Sequence, residues 1–103
     1  MINNVVIGNT VTNILSAGTN QSYAGIGLYF CNTSTSDESL NLHALQNGAS
    51  VGDGNMIVKN LALPSGATYE FGAEKFLIQS GERIAAVAQN GNRVTATITY
   101  TEI

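Results

Sequence analysis

A period of two runs through nearly the whole chain, and it leaves little room for anything but strands. The closing stretch is the clearest: Val94, Ala96, Ile98 and Tyr100 alternate with Thr95, Thr97, Thr99 and Thr101. Successive side chains of a strand point to opposite faces, so this segment carries one apolar row and one hydroxyl row. β-Branched hydroxyls suit a solvated pleat, as a half-buried strand requires. The same alternation places Ala24, Ile26, Leu28 and Phe30 on one face, with Gly25, Gly27, Tyr29 and Cys31 on the other. It recurs where Leu40, Leu42 and Ala44 interleave with Ser39, Asn41 and His43. A helical competitor exists only between Ala73 and Ile84, and Gly81 interrupts it.

Turn chemistry falls between the runs at the spacing of a small sandwich. Ser16–Asn20, the Ser/Thr-rich stretch Asn32–Asp37, Asn47-Gly48, Asp53-Gly54-Asn55 and Pro64-Ser65-Gly66 separate successive runs. Asn90-Gly91-Asn92 carries a hairpin signature, and Ser80-Gly81-Glu82 reads as a corner between two sheets. The predicted strands are 3–8, 10–16, 22–32, 38–46, 55–63, 67–72, 75–80, 83–89 and 93–102. The expectation is an all-β chain: one small antiparallel β-sandwich, jelly-roll or Ig-like, of eight or nine short strands. It forms a single domain over residues 1–103. Residues 1–10 are left with two readings, an extended N-terminal arm or an edge strand of the same sheet.

Composition narrows what such a sandwich does. Asn, Thr, Ser and Gly make up 41 of the 103 residues, while Asp, Glu, Lys and Arg make up only 11%. The polarity is therefore carried by amides and hydroxyls rather than ions. With a net charge of −3 and four dispersed basic residues (Lys59, Lys75, Arg83, Arg93), the chain has no electrostatic footprint for nucleic acid. No apolar run approaches the length needed to cross a bilayer, so no membrane partner is expected. The first ten residues lack a basic region followed by a long apolar one, so synthesis in the cytoplasm without a secretory leader is expected. A surface poor in ions is also poorly protected against association, and it loses less on desolvation than an ionic one.

The residues that could carry chemistry are few and isolated. His43 is the only histidine, and no nucleophile elbow accompanies it, so it reads as a structural or surface residue. Cys31, the only cysteine, has no helix N-terminus or cation beside it to lower its pKa and reads as a small apolar filler. Gly52-Asp53-Gly54-Asn55 lacks the further carboxylates that a calcium loop needs. Asp37, Glu38, Glu70, Glu74 and Glu82 all fall near turns or strand ends, and nothing sets two of them across a cleft. No enzyme, cofactor or metal is expected. Tyr29 points away from the Ile26-Leu28-Phe30 row and is the ring best placed to meet a partner.

The layout also resembles a known group. Val11-Thr12-Asn13-Ile14-Leu15 precedes a glycine turn, and Gly27-Leu28-Tyr29-Phe30-Cys31-Asn32 precedes a Ser/Thr loop. A strand ending Leu42-His43-Ala44-Leu45 follows, then Leu63-Pro64-Ser65-Gly66-Ala67-Thr68, the corner Leu77–Ile84 and a closing Glu102-Ile103. This order resembles small β-sandwich virion structural proteins of tailed bacteriophages, over about residues 11–103. The resemblance implies a structural part of a virion, made in the host cytoplasm and acting through protein–protein contacts. Capsid decoration or cement stands first, with a trimer as one form it could take; a neck, tail or baseplate component stands second. The implied partners are the major capsid protein or neck and tail proteins, together with further copies of the chain. A reading of another class is a carbohydrate-binding or adhesion module, for which Tyr23, Tyr29 and Tyr69 are the available rings. The interface candidates are Ile2, Val5, Val6, Ile7, Tyr23 and Tyr29.

Overall fold

A computed structural model describes residues 1–71 and 76–103. Among the described residues the alternation becomes nine strands: β1 (Ile2–Ile7), β2 (Thr12–Ser16), β3 (Tyr23–Asn32), β4 (Glu38–Leu45), β5 (Met56–Leu63), β6 (Thr68–Phe71), β7 (Leu77–Ile78), β8 (Arg83–Ala88) and β9 (Val94–Glu102). A single 3-10 turn, Asp53–Asn55, interrupts the connection from β4 to β5.

The pairings nest. β1 pairs with β9, β2 with β8, β3 with β6 and β4 with β5, all antiparallel, as in one long ribbon folded back on itself. The ribbon then wraps so that β9 meets β3 and β8 meets β4. Two sheets result, ordered β1-β9-β3-β6 and β2-β8-β4-β5, with β7 added beside β3. That wrapping is the jelly roll. Periodicity tells which side of a strand is buried but not which strand lies next to it, so the sequence left jelly-roll and Ig-like orders both open.

The apolar rows meet between the sheets. Ile7, Leu28, Phe30, Val94, Ala96 and Ile98 come from the first sheet. Ile14, Leu15, Leu40, Leu42, Leu63, Ile84, Ala86 and Ala88 come from the second. Phe71 and Phe76 stack at 5.7 Å along the rim, and Tyr23 meets Tyr100 edge-on at 5.1 Å. Burying rows of this kind supplies most of the drive to fold, at about 25 cal/mol per Å² of apolar area.

Polar side chains close one end of the core. Asn32 is fully buried. Its Nδ2 donates to the Ser36 and Leu63 carbonyls at 2.8 Å, and its Oδ1 accepts from Ser34 N and Oγ at 3.0 and 2.8 Å. Beside it the buried Glu38 accepts from Arg93 Nη1 and Asn90 Nδ2, both at 3.0 Å. Those donors hold the Glu38 carboxyl below its ordinary pKa, Asn90 contributing most and Arg93 next.

Several expectations need correction. Ile26 is 57% exposed rather than in the core row. The register between β3 and β9 slips between Gly25 and Gly27, and the extra residue is thrown outward. Asn90-Gly91-Asn92 is no hairpin, because β8 and β9 belong to different sheets; it is a crossover with Asn92 at φ 64°. The corner at Ser80-Gly81-Glu82 is present, linking β7 to β8. Gly81 has φ +80°, and a Cβ there would collide with the Asn47 side chain. Residues 76–84 of the helical competitor hold β7, a turn and the start of β8. Its first residues, the predicted strand ends at Gly72 and Lys75, and Glu74 lie outside the described residues.

Candidate functional site

The outer face of the first sheet follows directly from register. Its rows run Ile2, Thr99, Gly27; then Asn4, Thr97, Tyr29, Glu70; then Val6, Thr95, Cys31, Thr68. Glu70 is the only carboxylate or base in these rows, which otherwise offer hydroxyls, one amide, two aliphatic side chains, a phenol and the Cys31 thiol. Thr97 Oγ1 donates to Asn4 Oδ1 at 2.7 Å, tying the edge strand to its neighbour. Thr99 Oγ1 lies 3.4 Å from the Gly27 carbonyl.

Tyr29 lies flat along its own strand. A Cβ at Gly27 would sit 3.4 Å from both Tyr29 Cε2 and its hydroxyl, and 3.3 Å from Thr99 Oγ1. The glycine is what lets the ring lie down, leaving Tyr29 38% exposed. Glu70, directly across on β6, raises the phenol's pKa by hydrogen bonding and then by charge repulsion. The result is a flat, almost uncharged surface.

The outer face of the second sheet is partly roofed. His43 pairs with Ala85, and register puts both outside, yet both are buried. Residues 46–55 fold over them. Asn55 fixes this cover: its Oδ1 accepts from Gly52 N at 3.1 Å, and its Nδ2 donates to the Ser50 carbonyl at 2.8 Å. His43 Nδ1 lies 2.8 Å from the same Oδ1 and therefore carries the proton as donor. Arg83 Nη2 adds a bond to the Ala49 carbonyl at 2.8 Å. The histidine clamps a loop.

Beyond the roof lies an open trough of about 500 Å³ lined by Ser39, Leu40, Asn41, Asn60, Val87, Ala88 and Gln89. Ser39 Oγ donates to Gln89 Oε1 at 3.1 Å, and Asn60 N donates to Asn41 Oδ1 at 2.8 Å. Asn60 has φ 53° at a register slip in β5. The sequence reading missed this trough. Its one signal was the polar pair Lys59-Asn60, which breaks the alternation of β5.

The six interface candidates do not share one environment. Ile2 and Val6 are exposed on the outer face at 67% and 53%. Val5 packs against the core and Ile7 is buried in it, because β1 alternates like any edge strand paired along its length. Tyr23 also packs against the core, leaving Tyr29 as the exposed ring of that pair. Tyr69 faces the same side as Phe30, so Tyr23, Tyr29 and Tyr69 form no common platform. Cys31 is a half-buried free thiol on the outer face between Thr95 and Thr68.

Two turn carboxylates each hold a single backbone amide. Asp37 Oδ1 accepts from Ser65 N at 3.0 Å, and Glu82 Oε1 accepts from Gln79 N at 2.8 Å. Among the described residues no three His, Cys, Asp or Glu side chains converge. No protein-family model matches the chain, and no curated protein or solved structure does either.

Proposed function

We propose that this chain is a structural component of a tailed-bacteriophage virion, acting as a capsid decoration or cement protein through protein–protein contacts. The observation that carries the reading is the outer face of the first sheet, flat and bearing one carboxylate among its rows. A lattice component works by burying area against neighbours. Hydroxyls and amides enter such contacts at lower desolvation cost than ions. The ordered layout that resembles phage virion proteins supports a role in the particle, with a neck, tail or baseplate position as the second form of this reading. The partners are then other virion proteins and further copies of the chain.

Mass spectrometry of purified particles tests this reading. High copy number in the particle supports it, and occurrence only in the host lysate overturns it. A particle reconstruction then separates capsid from neck and tail.

The trough on the second sheet favours a second reading, a carbohydrate-binding or adhesion module. Asn41 Nδ2 and Gln89 Nε2 have no protein partner among the described residues, and neutral amide donors suit sugar hydroxyls. A glycan screen that yields no ligand, or one whose ligand still binds Asn41→Ala, removes this alternative.

A further inference from the structure

Among the described residues the two sheets end at β1, at β6 with the two-residue β7, at β2 and at β5, and all but β1 are short or blunted. β5 contains two register slips, Lys59 and the left-handed Asn60. β2 slips between Asn13 and Leu15. β6 runs four residues, follows the Pro64 turn and carries Glu70. These are the devices by which edges avoid pairing with other chains. β1 has none of them. Its sequence, Ile-Asn-Asn-Val-Val-Ile, keeps unbroken register with β9 and contains neither charge nor proline.

Which backbone groups are free follows from the ladder. Met1 N donates to the Tyr100 carbonyl at 2.6 Å, and Tyr100 N donates back to the Met1 carbonyl at 2.8 Å. Antiparallel pairs alternate, so Asn3, Val5 and Ile7 bond to β9, while Ile2, Asn4 and Val6 turn their N–H and C=O groups outward. All three of those residues are exposed.

We propose that β1 pairs antiparallel with β1 of a second copy of this chain, about a two-fold axis through Asn4. The strand is self-complementary about that point. Asn4 faces Asn4 of the second copy, and Ile2 faces its Val6, each pair exchanging two ladder bonds. On the outer face this joins two Ile–Val pairs and an amide pair into one apolar strip, a favourable cross-strand arrangement. No like charges meet, and the first sheets of both copies become one continuous sheet. The contact is isologous and closes at two subunits. It stands apart from the virion reading and needs no particle to be tested.

Sedimentation equilibrium of the purified chain, from micromolar to millimolar concentration, reads the outcome. The expected mass is twice 10.8 kDa. Asn4→Pro deletes an outward N–H that the monomer does not use, a position where an edge strand tolerates proline. It is expected to abolish the dimer while Asn4→Ala keeps it, with the circular dichroism of the fold unchanged in both. Should Asn4→Pro unfold the chain, Val6→Lys decides, since it places two cations on the strip without touching the core. Loss of the dimer in Val6→Lys supports the proposal. A chain that stays monomeric, that forms a trimer, or that dimerises equally well with Val6→Lys overturns it.

Discussion

Asn32 and Thr97 are both neutral polar residues on paired strands, and the molecule uses them in opposite ways. The Asn32 side chain, out of contact with water, makes four hydrogen bonds that tie β3 to the 33–37 loop and to the end of β5. The Thr97 hydroxyl makes one, to Asn4, on an open face. A buried polar group without partners costs far more than a satisfied one contributes, so Asn32 is committed to architecture. Thr97 has water as an alternative and remains available to another surface. The shared excess of Asn and Thr in the composition therefore covers two different jobs.

The sharpest way to break this contrast is at Asn32. Asn32→Leu keeps the volume but strips the partners from the Leu63 carbonyl and the Ser34 amide. It is expected to destabilise the fold by about 3 kcal/mol, measured by urea unfolding with an unchanged m-value. A cost near that of an exposed substitution would show that the buried cluster is ornament.

Glu38 extends the same cluster into pH. Its folded pKa is depressed, so its contribution is present above the unfolded carboxyl value and is lost as pH falls through the folded one. Thermal melts between about pH 5 and 3 are expected to fall more steeply for the parent than for Glu38→Gln. Equal slopes would remove Glu38 from the acid response.

The roof over the second sheet lies between these extremes. Asn55→Ala removes the acceptor shared by His43 and Gly52 and the donor to Ser50. The loss is expected to be about 1–2 kcal/mol, seen first as faster amide exchange in residues 46–55 and only then in global stability.

Much of this arrangement was legible in the sequence, and what was not has physical causes. Alternation, together with the turn signals between runs, located every described strand, since burial of one face writes itself into alternate residues. Ile26 was misplaced because a bulge changes phase without changing composition, and only the flanking glycines, Gly25 and Gly27, marked the spot. His43 was assigned the correct side of β4, but its burial depends on a loop whose path no local pattern encodes. The wrapping of β9 onto β3 is likewise a matter of neighbours. For the outer face of the first sheet, the Thr row of β9 was plain, whereas its junction with Ile2, Asn4 and Val6 required the register of β1. Of the candidates read from apolar character alone, Ile7 went to the core, because an edge strand buries every second residue too.

The smallest expected effect is the most informative about function. Thr97→Val keeps the β-branched shape and removes only the hydroxyl that donates to Asn4. Stability is expected to move by less than about 0.5 kcal/mol, because the bond is exposed and valine favours strands equally well. Thr97→Lys, on the same open face, is expected to unfold at nearly the parent temperature yet, if the proposed virion role holds, to lower incorporation into particles by placing a charge at the centre of the proposed contact surface. If instead Thr97→Val costs as much as Asn32→Leu, the threonine row is part of the architecture, and the outer face loses its claim to be contact surface. If Thr97→Lys enters particles as well as the parent does, the fold stands and the contact lies elsewhere, with the trough beside Asn41 and Gln89 the next surface to probe.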